Sequence, residues 1–260
     1  MLAAAMHRDV TSADGTRIHL ELSGRGATAL VFVHGWLGSA RWWDAARDAL
    51  QAEYTIAAVE LAGHGGSGRR AQPTIAGYAD DVVAATASIE AERLVLIGHS
   101  MAGAYVVVAA ERVPRTAQVV LVDTLKNLDQ AIAPAEVDAM LDLYRRDFAT
   151  AVEQVLPRYL YAPTTPPAVI ERLRHEFLAV PGDVAAALVA PLYREDYRAA
   201  ARRLRVPVHA INGDLHPTDV AANRRWFADY HLHPMPGVGH YPMLEQPAAF
   251  AAALRAALAS

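Results

Sequence analysis

At 260 residues the chain is long enough to bury one sizeable core, and α/β domains of this length commonly form a single unit. Its net charge of -4 leaves no basic surplus of the kind that holds nucleic acid or an anionic membrane. The absence of cysteine removes disulfides, thiolate metal sites and a thiol nucleophile.

A small-molecule substrate is therefore the expected partner, with no nucleic acid, no membrane and an oligomeric state that the sequence leaves unknown. The opening Met1 to Met6 is apolar, but it is too short for a signal-peptide core and lacks a basic start. No stretch approaches the roughly 18 uncharged apolar residues of a membrane helix, so a cytoplasmic protein is expected. The single lysine, Lys126, among many arginines reads as compositional bias of the source rather than as function.

Along the chain, Asp14-Gly15 between the segments at 7–10 and 16–22 predicts a turn joining two antiparallel strands at one sheet edge. Strand-length apolar runs follow at 29–33, 55–60, 93–97, 119–123 and 206–211, with a short one near 232–235. They alternate with helical patterns at 40–53, 74–90, 101–113, 218–230 and 247–258. That alternation predicts a mostly parallel sheet covered by helices on both faces, with ligands at the strand ends. The region 125–195 breaks the rhythm: it has helical patterns and the turn cluster at 163–167 but no convincing strand. It is expected to be a helical cap on a core made of 1–124 and 196–260. Of its aromatic residues, Tyr144, Phe148 and Tyr159 are candidates for the substrate pocket, together with Leu37 of the core.

The first chemical landmark is His34-Gly35-Trp36-Leu37, directly after the run at 29–33. A glycine-relieved turn there allows the Trp36 backbone N–H to face a reacting oxygen. Gly63-His64-Gly65-Gly66-Ser67-Gly68 matches a dinucleotide fingerprint and follows a strand, yet no amphipathic helix opens at 69–73. Nucleotide binding is not expected from it, and no cofactor is expected. The strongest signal is Gly98-His99-Ser100-Met101-Ala102-Gly103, between a strand and a helix. So sharp a turn needs small neighbours and presents the serine hydroxyl at the sheet edge. Met101, at the start of the helix, would supply a second backbone N–H for the negative charge that develops.

A serine hydroxyl is a poor nucleophile until a base takes its proton. Of eleven histidines, His240 stands alone in following the last strand within a glycine-rich loop, Gly237-Val238-Gly239-His240. His231 and His233 have no third ligand at recognisable spacing, so no metal is expected. The imidazole in turn needs an acid. Asp214, just after the run at 206–211, is the first choice; Asp123 at the end of an earlier strand is the reserve, and Asp219 reads better as the start of a helix.

With His34-Gly35-Trp36, the segment Glu60 to Gly68, the Ser100 turn, Asp214 and His240 standing in this order, the chain resembles the α/β-hydrolase superfamily over nearly its whole length outside the insertion. The resemblance implies the α/β-hydrolase fold: an eight-stranded, mostly parallel sheet flanked by helices, with the insertion as a cap after the sixth strand. It also implies Ser100, Asp214 and His240 as nucleophile, acid and base, with Trp36 and Met101 as oxyanion donors. Glu60 stands where relatives commonly have aspartate, and the loop around Asp214 is shorter than usual. Ser100 excludes the aspartate nucleophile of related dehalogenases and epoxide hydrolases. The expected activity is serine esterase, with lactones, thioesters, C–C bonds, perhydrolase or lyase chemistry, and a non-catalytic receptor as the rivals.

Overall fold

The computed structural model of the chain describes residues 5–259; Met1 to Ala4, which include most of the apolar opening, lie outside them. Eight strands form one sheet in the order β1-β2-β4-β3-β5-β6-β7-β8. They are β1 (Met6–Thr11), β2 (Arg17–Gly24), β3 (Thr28–Val33), β4 (Thr55–Val59), β5 (Arg93–His99), β6 (Thr116–Val122), β7 (Val208–Gly213) and β8 (Tyr230–Met235). The β1–β2 hairpin is antiparallel, β2 joins β4 antiparallel, and every later pairing is parallel.

The central strands read as continuous apolar runs because both of their faces are covered. Successive side chains point to opposite faces: Val31, Val33, Leu94, Leu96, Val119 and Leu121 enter one core, and Leu30, Phe32, Val95, Ile97, Val120 and Val122 enter the other. A 3-10 turn at Ala40–Trp43 leads into α1 (Asp44–Leu50), followed by α2 (Ile75–Ala87) and α3 (Ala102–Ala110). Helices α2 and α3 cover the first core, and α1 lies over the second. Helix α2 starts where expected because Thr74, in extended backbone, accepts the Gly77 N–H on its side chain.

Between β6 and β7 run α4 (Pro134–Arg146), α5 (Phe148–Thr150), a π-helical turn at Ala151–Val155, α6 (Pro157–Leu160), α7 (Pro167–Leu178), α8 (Gly182–Arg194) and α9 (Arg198–Arg203). The chain closes with α10 (Val220–Asn223), α11 (Pro242–Glu245) and α12 (Pro247–Leu258). The expected helix at 218–230 is thus cut to the four residues of α10. The reason is Asn223, wholly buried, whose amide binds Leu125 O, the Leu128 N–H and Tyr230 O–H. The chain turns there to serve the loop after β6. Among the described residues no single helix is long and apolar enough to cross a membrane.

Candidate active site

The parallel strands β3, β5, β6 and β7 all end at the same rim of the sheet, and Ser100, Asp123 and His240 meet there. Four non-glycine residues have φ in the left-handed region among the described residues: Leu37 (55°), Ser100 (53°), Asp123 (44°) and Leu125 (47°). All four follow β3, β5 or β6. Such backbone costs on the order of 1–3 kcal/mol per residue and persists where the surroundings over-determine it.

Ser100 is held by its own backbone, whose N–H donates to Val122 O at 3.0 Å and whose carbonyl accepts from Thr124 Oγ1 at 2.6 Å. Gly98 is required before it, since a Cβ there would lie 2.5 Å from Ala102 O. Ala102 itself fits, fully buried at the start of α3. The loop after β3 passes as close on the other side: a Cβ on Gly35 would come within 3.0 Å of Ser100 Cβ. Trp36 and Met101 flank the serine on the cavity wall. Neither of their backbone N–H groups donates to an acceptor among the described residues.

Ser100 Oγ donates to His240 Nε2 at 2.9 Å, and His240 Nδ1 donates to a carboxylate at 2.7 Å. That carboxylate belongs to Asp123, which corrects the expectation for Asp214. In the sheet Val122 pairs with Ile211, so Asp123 stands level with Asn212 and Asp214 lies two residues farther out. Asp214 is exposed there and accepts the Gly237 N–H instead. Asp219 caps α10 through the Ala222 N–H, as expected.

Both oxygens of the Asp123 carboxylate are engaged. Its Oδ2 takes His240, while its Oδ1 takes the Gly213 N–H at 2.8 Å and the Lys126 ammonium at 2.8 Å. Burial pushes this carboxyl up, but the hydrogen bond and charge of His240 and the charge of Lys126 more than offset that and hold it below the ordinary value. Lys126 is therefore not the bystander that its composition suggests.

The loop carrying His240 is held at both ends of the residue. Its N–H donates to Leu160 O at 2.8 Å, and its carbonyl accepts from His99 Nε2 at 2.8 Å. Burial drives His99 down to about 3, so its ring stays neutral. Glu245, which sequence reasoning passed over, accepts the N–H groups of Gly239 and Tyr241 and the Thr165 hydroxyl. An acidic residue five positions after the histidine was the only available signal.

The serine opens into a cavity of about 710 Å³. Of the four proposed pocket residues, Tyr144 and Tyr159 line it and Leu37 and Phe148 do not. Leu37, turned by its positive φ, is buried in the second core. Phe148 stands behind the wall, its ring 5.8 Å from that of Trp36 and 5.7 Å from that of Tyr144. Met140, Leu143, Leu156 and Leu192 make the cavity mostly apolar, and the exposed Ile132 and Tyr159 stand at its rim.

Two other motifs do different work. The Gly63 to Gly68 loop closes on itself, Gly63 N–H to Gly68 O, with the Glu60 carboxylate folded inside it against the Gly66 N–H. His231 and His233 stack on His209 at the sheet edge rather than converging on a point.

A family model described as the alpha/beta hydrolase family matches residues 30–253. A pimeloyl-[acyl-carrier protein] methyl ester esterase of Nitrosomonas europaea is 28% identical over 90% of this chain and 96% of that protein. A dihydrolipoyllysine-residue acetyltransferase component of the acetoin cleaving system of Cupriavidus necator is 35% identical over 38% of this chain, which spans only 27% of that longer protein. Among solved structures, an esterase from Rhodococcus sp. ECU1013 superposes with a TM-score of 0.80 at 25% identity, covering 98% of each chain.

Proposed function

The chain belongs to the alpha/beta hydrolase family, and from that premise we propose that it is a serine esterase acting on small carboxylic esters. The observation that carries this reading is the unbroken chain of hydrogen bonds from Ser100 Oγ through His240 to Asp123. With Nδ1 committed as donor to Asp123, the neutral imidazole offers its Nε2 lone pair to the serine proton. Ser100 Oγ then attacks the ester carbonyl while Nε2 takes that proton, and the Asp123 carboxylate stabilises the imidazolium. The Trp36 and Met101 N–H groups serve the tetrahedral oxyanion. Nε2 returns the proton to the departing alcohol. A water, deprotonated in the same way, releases the acid and restores Ser100.

We place residues 125–195 over this site as a cap. Its apolar walls and a cavity of about 710 Å³ support short to medium or aromatic acyl groups. The esterase names of the relatives at 28% and 25% identity support ester cleavage as the default over the lactone and thioester alternatives.

Ser100→Ala should abolish hydrolysis of p-nitrophenyl butyrate and labelling by a fluorophosphonate. Turnover equal to that of the unaltered protein would refute the assignment, and a strong preference for long-chain triglycerides would refute the predicted substrate size.

A further inference from the structure

We infer that Lys126 is a positioning residue, which fixes the acid of the site between the ends of β6 and β7 and tunes how readily His240 accepts a proton. The inference rests on the Ser100–His240–Asp123 reading above and deepens it. An ammonium has three donors, and here each has its own acceptor: Asp123 Oδ1 at 2.8 Å, Gly213 O at 3.0 Å and His216 O at 3.1 Å. Lys126 lies on the cavity wall, yet with every donor used it has none left for an anionic substrate. It acts on the carboxylate instead.

The backbone is shaped for this contact. Two left-handed residues, Asp123 and Leu125, turn the loop back so that a side chain three positions on meets the carboxylate. The turn is secured through the Leu125 carbonyl, which accepts from Asn223 Nδ2 at 2.8 Å, and the Lys126 carbonyl, which accepts the Asp219 N–H at 2.8 Å. Lys126 thus joins the β6 loop to the β7 loop and, with the Gly213 N–H, holds Oδ1 so that Oδ2 faces His240.

Its charge matters as much as its hydrogen bonds. A cation on the far side of the carboxylate cancels part of the field that stabilises the imidazolium, so His240 gives up its proton to the leaving group more readily. The other titratable groups around the pair are His99 from β5, Tyr241 beside His240, His216 after β7, and Glu136 of α4 and Tyr159 of α6 on the cavity wall. Among the described residues, Lys126 and His240 are the two basic side chains paired with Asp123, and only Lys126 carries a charge while the imidazole is neutral.

The test is the rate of p-nitrophenyl butyrate hydrolysis against pH for the full chain, Lys126→Met and Lys126→Arg. In Lys126→Met the acidic limb of the kcat profile should move up by about 0.5–1 pH unit. Its kcat should fall about tenfold with KM nearly unchanged, as misplacement of a catalytic partner predicts. Lys126→Arg should return the limb toward its original position. An unmoved limb in Lys126→Met overturns the inference whether or not the rate falls, because a merely structural lysine would not move it. If that variant fails to fold, the unaltered protein still decides the matter. Its only lysine gives a single side-chain resonance after 15N-lysine labelling, which should shift with the midpoint of the acidic limb. A resonance flat through that limb is the overturning result. Fluorophosphonate labelling of Ser100 separates the two levels: its absence removes the esterase reading itself, whereas labelling with an unmoved limb removes the role of Lys126 alone.

Discussion

A carboxylate stabilises an imidazolium through a short hydrogen bond, so the two candidate acids are distinguished by reach. Asp123 meets His240 Nδ1 at 2.7 Å, and Asp214 spends Oδ1 on the Gly237 N–H. Asp123→Asn would present an amide to Nδ1, removing the charge and favouring the wrong tautomer. Its kcat should fall by about three to four orders of magnitude. Asp214→Asn keeps a carbonyl oxygen for Gly237 and should stay within about threefold of the unaltered protein, a difference typical of an exposed substitution. Steady-state kinetics of the two variants side by side check the assignment, and the reverse ranking would restore Asp214.

At the scale of elements, the strands bring the groups to one rim and a loop must then hold the histidine against it. Helix α6 supplies the Leu160 carbonyl to the His240 N–H, while Glu245 of α11 ties Gly239, Tyr241 and Thr165 together. Removing that buried carboxylate strands three donors. Glu245→Ala should therefore lower stability by about 2–4 kcal/mol, read as a lower midpoint in urea, and should lower kcat in the same protein. A loss below about 0.5 kcal/mol would mean that the loop is held by other contacts. The strands themselves were legible in the sequence, because buried parallel strands leave continuous apolar runs. So was the meeting of Ser100 with His240, each marked by glycines beside a strand end. The carboxylate that meets the imidazole was not, since choosing between Asp123 and Asp214 depends on the register of β6 against β7, and no local pattern encodes register. Lys126 was hidden for a related reason: its contact depends on left-handed backbone at Asp123 and Leu125, which no glycine there marks. The helix expected at 218–230 had the right periodicity but was overruled by the tertiary bonds of Asn223.

Across the whole molecule, the buried histidines other than His240 contribute to the response to acid. Burial drives His34 down to about 4, His64 to about 3 and His209 to about 4, with His99 near 3 and His233 also lowered. His209 Nδ1 lies 2.9 Å from His233 Nε2, and two rings in that arrangement share at most one proton between them. Burial disfavours the protonated form of these rings in the folded chain, whereas the unfolded chain protonates each near its ordinary 6.5. Unfolding therefore takes up protons as pH falls below about 6.5, and each such group subtracts from stability through the window between its unfolded and folded values. Paired carboxylates act in a separate window. Those held low in the fold, such as Asp123 and Asp14, lose their contribution only below about 4. Asp81, which burial raises, acts in the opposite sense and gains stability as it protonates, so a fall in stability between about 6.5 and 4.5 is the mark of the histidines. Urea denaturation at successive pH values should give a midpoint that is flat above 6.5 and declines steadily below it, while a midpoint unchanged down to pH 5 would mean that these rings are already protonated in the folded protein.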